Sequence, residues 1–277
     1  MVYVIRTTKC RNGVMEKTKF PVFDIADRSG TSTRDGKRAV NRAAKNAGSA
    51  RRNFARILNN NFVTGDCFLT LDLSEAGMAK VEKRAEGIRM EREKAGRPSL
   101  SEEDLMHMAM ERELENLNRR VLRAMGAASS IYLYAAAVSD MAAPEEDAAS
   151  ARLHIHMVVN AAAAETVEQK WKAMGSVESV KLSAWASKGV PDWTALAAYI
   201  IGQTRVVDNG KRYTVSRTVD KPVFSDRVAV RPDALLRAPT GTVLLEQGAY
   251  VPGRAQYIRY IYPAWDDRSG ERGGDAV

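Results

Sequence analysis

The stretch Leu153-His-Ile-His-Met-Val-Val159 decides how the rest of the chain is interpreted. Its pattern predicts a strand, on which residues two apart share a face. His154 and His156 therefore point to one side, and the apolar residues beside them point to the other, toward a core. Neutral imidazole is a common ligand for divalent transition metals, so two imidazoles aimed at one point indicate a metal site. From the strand alone, a pair of histidines on a solvated sheet face is an equally good interpretation.

A helix from about Asp192 to Arg205 supplies further candidates. Tyr199 and Gln203 lie four residues apart, so they share one flanking face of this helix. Gln203 offers an amide oxygen, which suits Mg²⁺ or Mn²⁺ beside histidine nitrogen, and Tyr199 offers a phenolic oxygen. One helical turn therefore presents both a ligand and a nucleophile. The third histidine, His107, lies among methionines and glutamates, which favours a structural role.

The pattern around these two segments predicts an α+β fold. Strand-like stretches alternate with helical ones, and Ser101 followed by Asp104 predicts the start of one helix. We expect one antiparallel sheet flanked by helices. The predicted strands are 2–5, 20–25, 66–73, 131–138, 152–160, 177–183, 211–218, 242–251 and 256–262. The predicted helices are 37–58, 75–96, 101–125, 165–174 and 192–205.

The positive charge is concentrated at the N-terminus. The net charge is +8, and residues 1–60 hold 14 Lys and Arg against 4 Asp and Glu. A basic segment on a near-neutral remainder is the usual signature of a polyanion partner, although a solvated basic arm is the alternative. We expect backbone phosphates to be bound by the helical cations Arg38, Arg42, Lys45, Arg51, Arg52 and Arg56.

Composition excludes several classes of protein. With 45% hydrophobic and 27% charged residues the chain is globular, and its two cysteines, Cys10 and Cys67, are too few for a disulfide framework. No apolar run approaches the length of a bilayer span, and no secretory leader is evident. These features predict a cytoplasmic protein without a membrane partner.

The ordered motifs resemble those of a known superfamily. Phe68-Leu-Thr-Leu71, then His154-Ile-His156, then Tyr199 with Gln203 are similar to the three motifs of the HUH endonucleases. These enzymes comprise rolling-circle replication initiators, conjugative relaxases and single-tyrosine transposases. The flanking stretches 52–66 and 211–217 resemble replication proteins of bacterial phages and plasmids, so the resemblance spans roughly residues 40–222.

The resemblance implies a fold, a reaction and partners. The first motif and the histidine pair would lie on central strands of an antiparallel sheet of the HUH, ferredoxin-like type. A divalent ion, Mg²⁺ or Mn²⁺, would be held by His154, His156 and Gln203, and Tyr199 would nick single-stranded DNA through a 5′-phosphotyrosine intermediate. Implied partners are single-stranded DNA or an origin hairpin, with host helicase and polymerase, in a bacterial cytoplasm.

Two positions depart from the replication proteins, which commonly carry a lysine three residues after the tyrosine and a glutamate four after it. Here these positions hold Gly202 and Gln203. A glutamine at the second position is the arrangement of single-tyrosine transposases. The missing lysine is either replaced by another cation or leaves a slow or inactive variant. Candidates for DNA contact in this part of the chain are Arg205, Lys211, Arg212 and Arg217.

Three regions and three functions follow as expectations. The regions are a basic N-terminal part at 1–60, a nuclease core at 61–222 with a helical insert at about 75–100, and a β-rich extension with a tail at 223–277. The leading function is initiation of rolling-circle replication. A transposase or relaxase-like strand transferase is the near alternative, and a non-catalytic nucleic-acid-binding module on the same fold is the third.

Overall fold

Strands and helices alternate along the part of the chain that the computed structural model describes. That part covers residues 2–22, 35–140, 152–208, 210–229, 235–248 and 255–262, with the backbone alone at 2, 22, 35–47, 228 and 229. The strands are β1 Val2–Lys9, β2 Val14–Val22, β3 Cys67–Leu71, β4 Tyr134–Ser139, β5 His154–Val159, β6 Val177–Lys181, β7 Thr214–Val215, β8 Val223–Ala229, β9 Val243–Gln247 and β10 Gln256–Ile261. The helices are α1 Asp35–Asn61, α2 Glu75–Lys94, α3 Glu102–Met125, α4 Ala161–Trp171 and α5 Thr194–Gly202.

The histidine strand lies at the centre of an antiparallel sheet. Its strand order is β6-β3-β5-β4-β7, so β5 pairs with β3 on one side and with β4 on the other. This pairing places Thr70 and Ala137 on either side of His156. All six residues of β5 are buried, because helices cover both faces of the sheet.

The alternation along β5 sends its side chains into two different cores. Ile155 and Met157 pack against α2, α3 and α4, whereas Val158 packs against α1 and α5. His154 and His156 share the face of Val158, since residues two apart on a strand lie on the same side. The predicted orientation of the two histidines is confirmed, and the solvated sheet face is excluded.

A second antiparallel sheet joins the two ends of the chain. Its strand order is β8-β1-β2-β10-β9, with Val4 opposite Val228 and Lys17 opposite Ile258. The α+β class is therefore correct, but the expected number of sheets is wrong, and β8 was not predicted. Pairing between residues so far apart leaves no mark on the local pattern from which strands are predicted.

The second sheet bears on the predicted regions without testing their limits. Strands from 1–60 and from 223–277 lie side by side in it, and helix α1 packs on α5 beside the histidine sheet. The three regions stay a prediction, and residues 263–277 of the predicted tail lie outside the described part of the chain.

Serine side chains cap the N-termini of helices α2 and α3. Ser74 accepts a hydrogen bond from Gly77 N at the start of α2, and Ser101 accepts one from Asp104 N at the start of α3, as its spacing predicts. None of the helices in the described part is both long and apolar enough to cross a membrane.

Candidate active site

The rings of His154 and His156 meet at their Nε2 atoms. These two nitrogens lie 3.0 Å apart, and the ring planes are nearly perpendicular at 82°. Nδ1 of His154 lies 2.7 Å from the carbonyl oxygen of Arg152. Because a carbonyl oxygen only accepts hydrogen bonds, this Nδ1 carries the proton and Nε2 presents its lone pair toward His156. The backbone thus fixes the tautomer that a metal ligand needs.

Burial keeps both imidazoles neutral at physiological pH. It lowers the pKa of His154, and it lowers the pKa of His156 to about 3, with repulsion from His154 adding to the effect. Only 6% of His154 and 1% of His156 is exposed. The neutral ring is the form that binds metals. Burial therefore favours the metal-binding form of both histidines over the protonated form.

Gln203 completes a group of three side chains at this point. It is 2% exposed, and its side chain lies close enough to the His156 ring to oppose the lowering of that ring's pKa. Its Nε2 atom is buried without a hydrogen-bond partner among the described residues. Helix α5 ends at Gly202, and Gln203 is the residue that caps it, which corrects the predicted helix end at Arg205.

Tyr199 lies beside the ring of His156. Its ring centroid is 5.2 Å from that of His156 and 5.4 Å from that of Trp185, and Phe68 meets it edge-on at 6.3 Å. Phe68 in turn lies 5.2 Å from His156, so the first motif forms part of the wall of the site. The four residues expected to act together, Tyr199, His154, His156 and Gln203, therefore come from two elements and meet at one place.

The donor set fits a divalent ion of intermediate hardness. Two neutral imidazole nitrogens and one amide oxygen are available as ligands. No group of three His, Cys, Asp or Glu residues suited to a metal occurs within the described ranges. A metal held here would thus depend on the amide as its third protein ligand.

Sequence reasoning missed one acidic residue beside this group. Asp140 follows the end of β4, and its backbone N–H donates to the carbonyl oxygen of Gln203 at 3.4 Å. Its carboxylate accepts a hydrogen bond from His107 at 2.8 Å. His107 is 2% exposed and has the structural environment that its position predicts. A lone Asp at the border of a strand and a loop carries no periodic signal, so only the fold could reveal it.

The predicted DNA-contacting residues fall into three groups. Arg51, Arg52, Lys211 and Arg217 are exposed, whereas the side chains of Arg38, Arg42 and Lys45 lie outside the described part. The other three are engaged by the protein: Arg56 pairs with Glu16, Arg205 with Asp140, Glu103 and Asp104, and Arg212 donates to the carbonyl oxygen of Thr204. Contact of all ten residues with DNA stays a prediction. In Arg56, Arg205 and Arg212, however, the guanidinium group already binds another group of the protein.

Helix α1 brings the exposed pair Arg51 and Arg52 to the tyrosine side of the sheet. Its buried face, including Phe54 and Leu58, shares one core with α5. Phe54 also contacts the ring of Tyr213 at 4.8 Å, next to the segment that carries Lys211. The N-terminal basic helix and the candidate nucleophile therefore lie on the same face of the histidine sheet.

Comparison of the chain with protein-family models, with curated proteins and with solved structures finds no significant match.

Proposed function

We propose that the chain is a metal-dependent endonuclease and strand transferase of the HUH type, acting on single-stranded DNA. The observation that carries this proposal is the meeting of His154, His156 and Gln203 beside the ring of Tyr199. A central β5 with β3 beside it also agrees with the sheet that the HUH resemblance implies. The partner strand, the bacterial cytoplasm and the role in replication follow from the resemblance.

The proposed reaction is a transesterification at a backbone phosphate. The Tyr199 oxygen attacks phosphorus in line and loses its proton, the bond from phosphorus to the 3′ oxygen breaks, and that oxygen gains a proton. The products are a 5′-phosphotyrosyl protein and a free 3′-hydroxyl, and the reverse step joins the ends. A divalent ion, when bound, supplies Lewis-acid polarisation of the phosphate. The surrounding rings of Phe68 and Trp185 hold Tyr199 close to the imidazoles.

Initiation of rolling-circle replication is the leading role for this chemistry. The flanking stretches that resemble phage and plasmid replication proteins favour it. Gln203 favours the second candidate, a single-tyrosine transposase, because that branch uses a glutamine at this position of the helix. Both roles share the covalent intermediate, so they differ in their DNA substrates rather than in the site.

The test is a covalent adduct with a random single-stranded DNA library. We expect Mn²⁺ to produce a protein–DNA species that survives denaturation, and chelation to prevent it. His154→Ala and His156→Ala should each abolish the adduct, whereas the exposed change Arg97→Ala should leave it unchanged. A chain that binds the library but never forms an adduct would instead be the non-catalytic binding module.

A further inference from the structure

A second concentration of positive charge lies on the other side of the histidine sheet. Helices α2 and α3 border a cleft of about 470 Å³, which Ala173 and Met174 also line. A neighbouring cavity of about 270 Å³ continues along the last turns of α3. We call the two together the α2–α3 cleft. Its cationic residues are Lys80, Lys83, Arg84, Arg112, Arg119, Arg120 and Arg123.

The acids of the cleft neutralise only part of this charge. Glu113 pairs with Arg84 at 2.5 Å, and Glu91 pairs with Arg112 at 2.8 Å. Glu91 and Glu113 are the two acidic residues in the lining. In the described part of the chain, no carboxylate pairs with Lys83, Arg119, Arg120 or Arg123. The cleft therefore has a strong excess of positive charge.

Arg120 is the residue that points most directly to a ligand. It lines both cavities, and its Nε and Nη2 atoms are buried without an acceptor among the described residues. Buried donors without a partner are costly, so native structures rarely keep them unless something else satisfies them. An anionic oxygen in the cleft would provide the missing acceptor.

The extent of the cleft favours a row of phosphates over a single anion. Arg112 and Arg123 are eleven residues apart on one helix, which corresponds to about 17 Å at 1.5 Å per residue. The lining contains no aromatic residue on which an unpaired base could stack. Single-strand sites usually combine positive charge with such stacking, whereas a duplex presents its backbone alone.

We propose that the α2–α3 cleft binds the phosphate backbone of duplex DNA. Because α2 and α3 pack on the face of Ile155 and Met157, the cleft and the His154–His156 site lie on opposite sides of the sheet. The cleft would hold double-stranded DNA on the side of the sheet away from the strand that is cut. The choice of DNA as the polyanion rests on the proposed function. The positive charge of the cleft and the unpartnered donors of Arg120 are independent of it.

The experiment measures binding of a random-sequence duplex as a function of salt, in chelator so that no cleavage occurs. The variant Arg119→Ala/Arg123→Ala removes two exposed cations of the cleft. The matched control, Lys94→Ala/Arg97→Ala, removes two exposed cations at the far end of the insert. We expect the first variant to flatten the slope of log K against log salt by about 1.8, at about 0.9 per phosphate contact, and the control to leave it unchanged.

Arg120→Gln provides a second test that does not depend on surface charge alone. It should reduce the slope by about 0.9 and should not lower the thermal midpoint, since it removes donors that have no partner. A salt slope that is unchanged in both variants overturns the proposal. A decrease in slope that is seen only with single-stranded DNA, or that the control variant shows equally, overturns it as well.

The two proposals of this protein can fail separately. Adduct formation on a short single-stranded oligonucleotide should be the same for wild type and Arg119→Ala/Arg123→Ala. If the adduct never forms but the duplex slope falls, the cleft stands and the nuclease does not. If the adduct forms and the salt slope of duplex binding is the same in wild type and Arg119→Ala/Arg123→Ala, the nuclease proposal stands and the cleft proposal does not.

Discussion

His107 donates a hydrogen bond from Nδ1 to the carboxylate of Asp140 over 2.8 Å. This contact joins α3 to the end of β4. The same carboxylate lies 2.8 Å from Nε of Arg205, and the backbone N–H of Asp140 donates to the carbonyl oxygen of Gln203. Helix α3, the histidine sheet and the end of α5 thus meet at one acidic residue, Asp140, beside the candidate metal ligand Gln203.

We therefore expect Asp140 to position Gln203, and His107 to hold the carboxylate of Asp140 in place through its hydrogen bond. His107→Ala should raise the Mn²⁺ concentration for half-maximal adduct formation about 10-fold, as losses of supporting groups do in metal sites. It should also cost about 1–3 kcal/mol of unfolding free energy, because one acceptor of a buried carboxylate loses its donor. Glu115→Gln, an exposed change two helical turns further on, is the control. A loss of stability with an unchanged metal requirement would restrict His107 to a structural role.

Tyr199→Phe should abolish the covalent adduct while leaving DNA affinity nearly unchanged. The ring packs against His156 and Trp185, and phenylalanine keeps these contacts while losing the oxygen. Denaturing gels measure the adduct, and anisotropy in chelator measures affinity. Persistence of the adduct would move the nucleophile elsewhere, first to Tyr213, which packs on Phe54 at the end of α1.

The relative placement of the candidate site residues could be predicted from the sequence more completely than the arrangement of the sheets. The period of two on β5 fixes which residues share a face, and a spacing of four on α5 brings Tyr199 and Gln203 to the same side. Both rules are local, and the structure brings these residues together. The second sheet depends on pairing between β1 and β8 near opposite ends of the chain, and Asp140 depends on where β4 ends. Such contacts are set by tertiary packing, which local periodicity does not encode.

The buried histidines should make stability depend on pH in the metal-free protein. The pKa of His156 falls from 6.5 to about 3 on folding, so between these values the unfolded chain binds a proton that the folded chain does not. Unfolding free energy is therefore highest above pH 6.5 and falls on acidification, by about 1.4 kcal/mol per pH unit for this group. His156→Gln should lower that slope by one proton. Denaturant titrations in chelator at several pH values measure it, and equal slopes for both proteins contradict the assignment.

Arg51 and Arg52 should contribute to DNA binding, whereas Arg56 should contribute mainly to stability. The first two are exposed, while Arg56 pairs with the buried Glu16 at 2.6 Å. Arg51→Ala/Arg52→Ala should flatten the salt dependence of single-strand binding by about 1.4, at about 0.7 per contact. Arg56→Ala should leave the slope almost unchanged and cost about 3–5 kcal/mol, because Glu16 would remain buried and unpaired. Salt titrations measure the contribution to DNA binding, and unfolding curves measure the contribution to stability. A large change in salt slope for Arg56→Ala, with none for Arg51→Ala/Arg52→Ala, would contradict this assignment.

Gln203 gives the sharpest test of the metal site, because it stands where replication proteins commonly have a glutamate. If its amide oxygen is the third protein ligand, Gln203→Glu should tighten metal binding and keep cleavage, since a carboxylate adds negative charge at the same reach. Gln203→Ala should cut activity by on the order of 10- to 100-fold and raise the metal requirement. If Gln203 instead bonds only His156 or DNA, both variants should impair cleavage at an unchanged metal requirement. Titration of Mn²⁺ against the rate of adduct formation in all three proteins decides between these outcomes, and an identical half-maximal concentration in each removes Gln203 from the metal site.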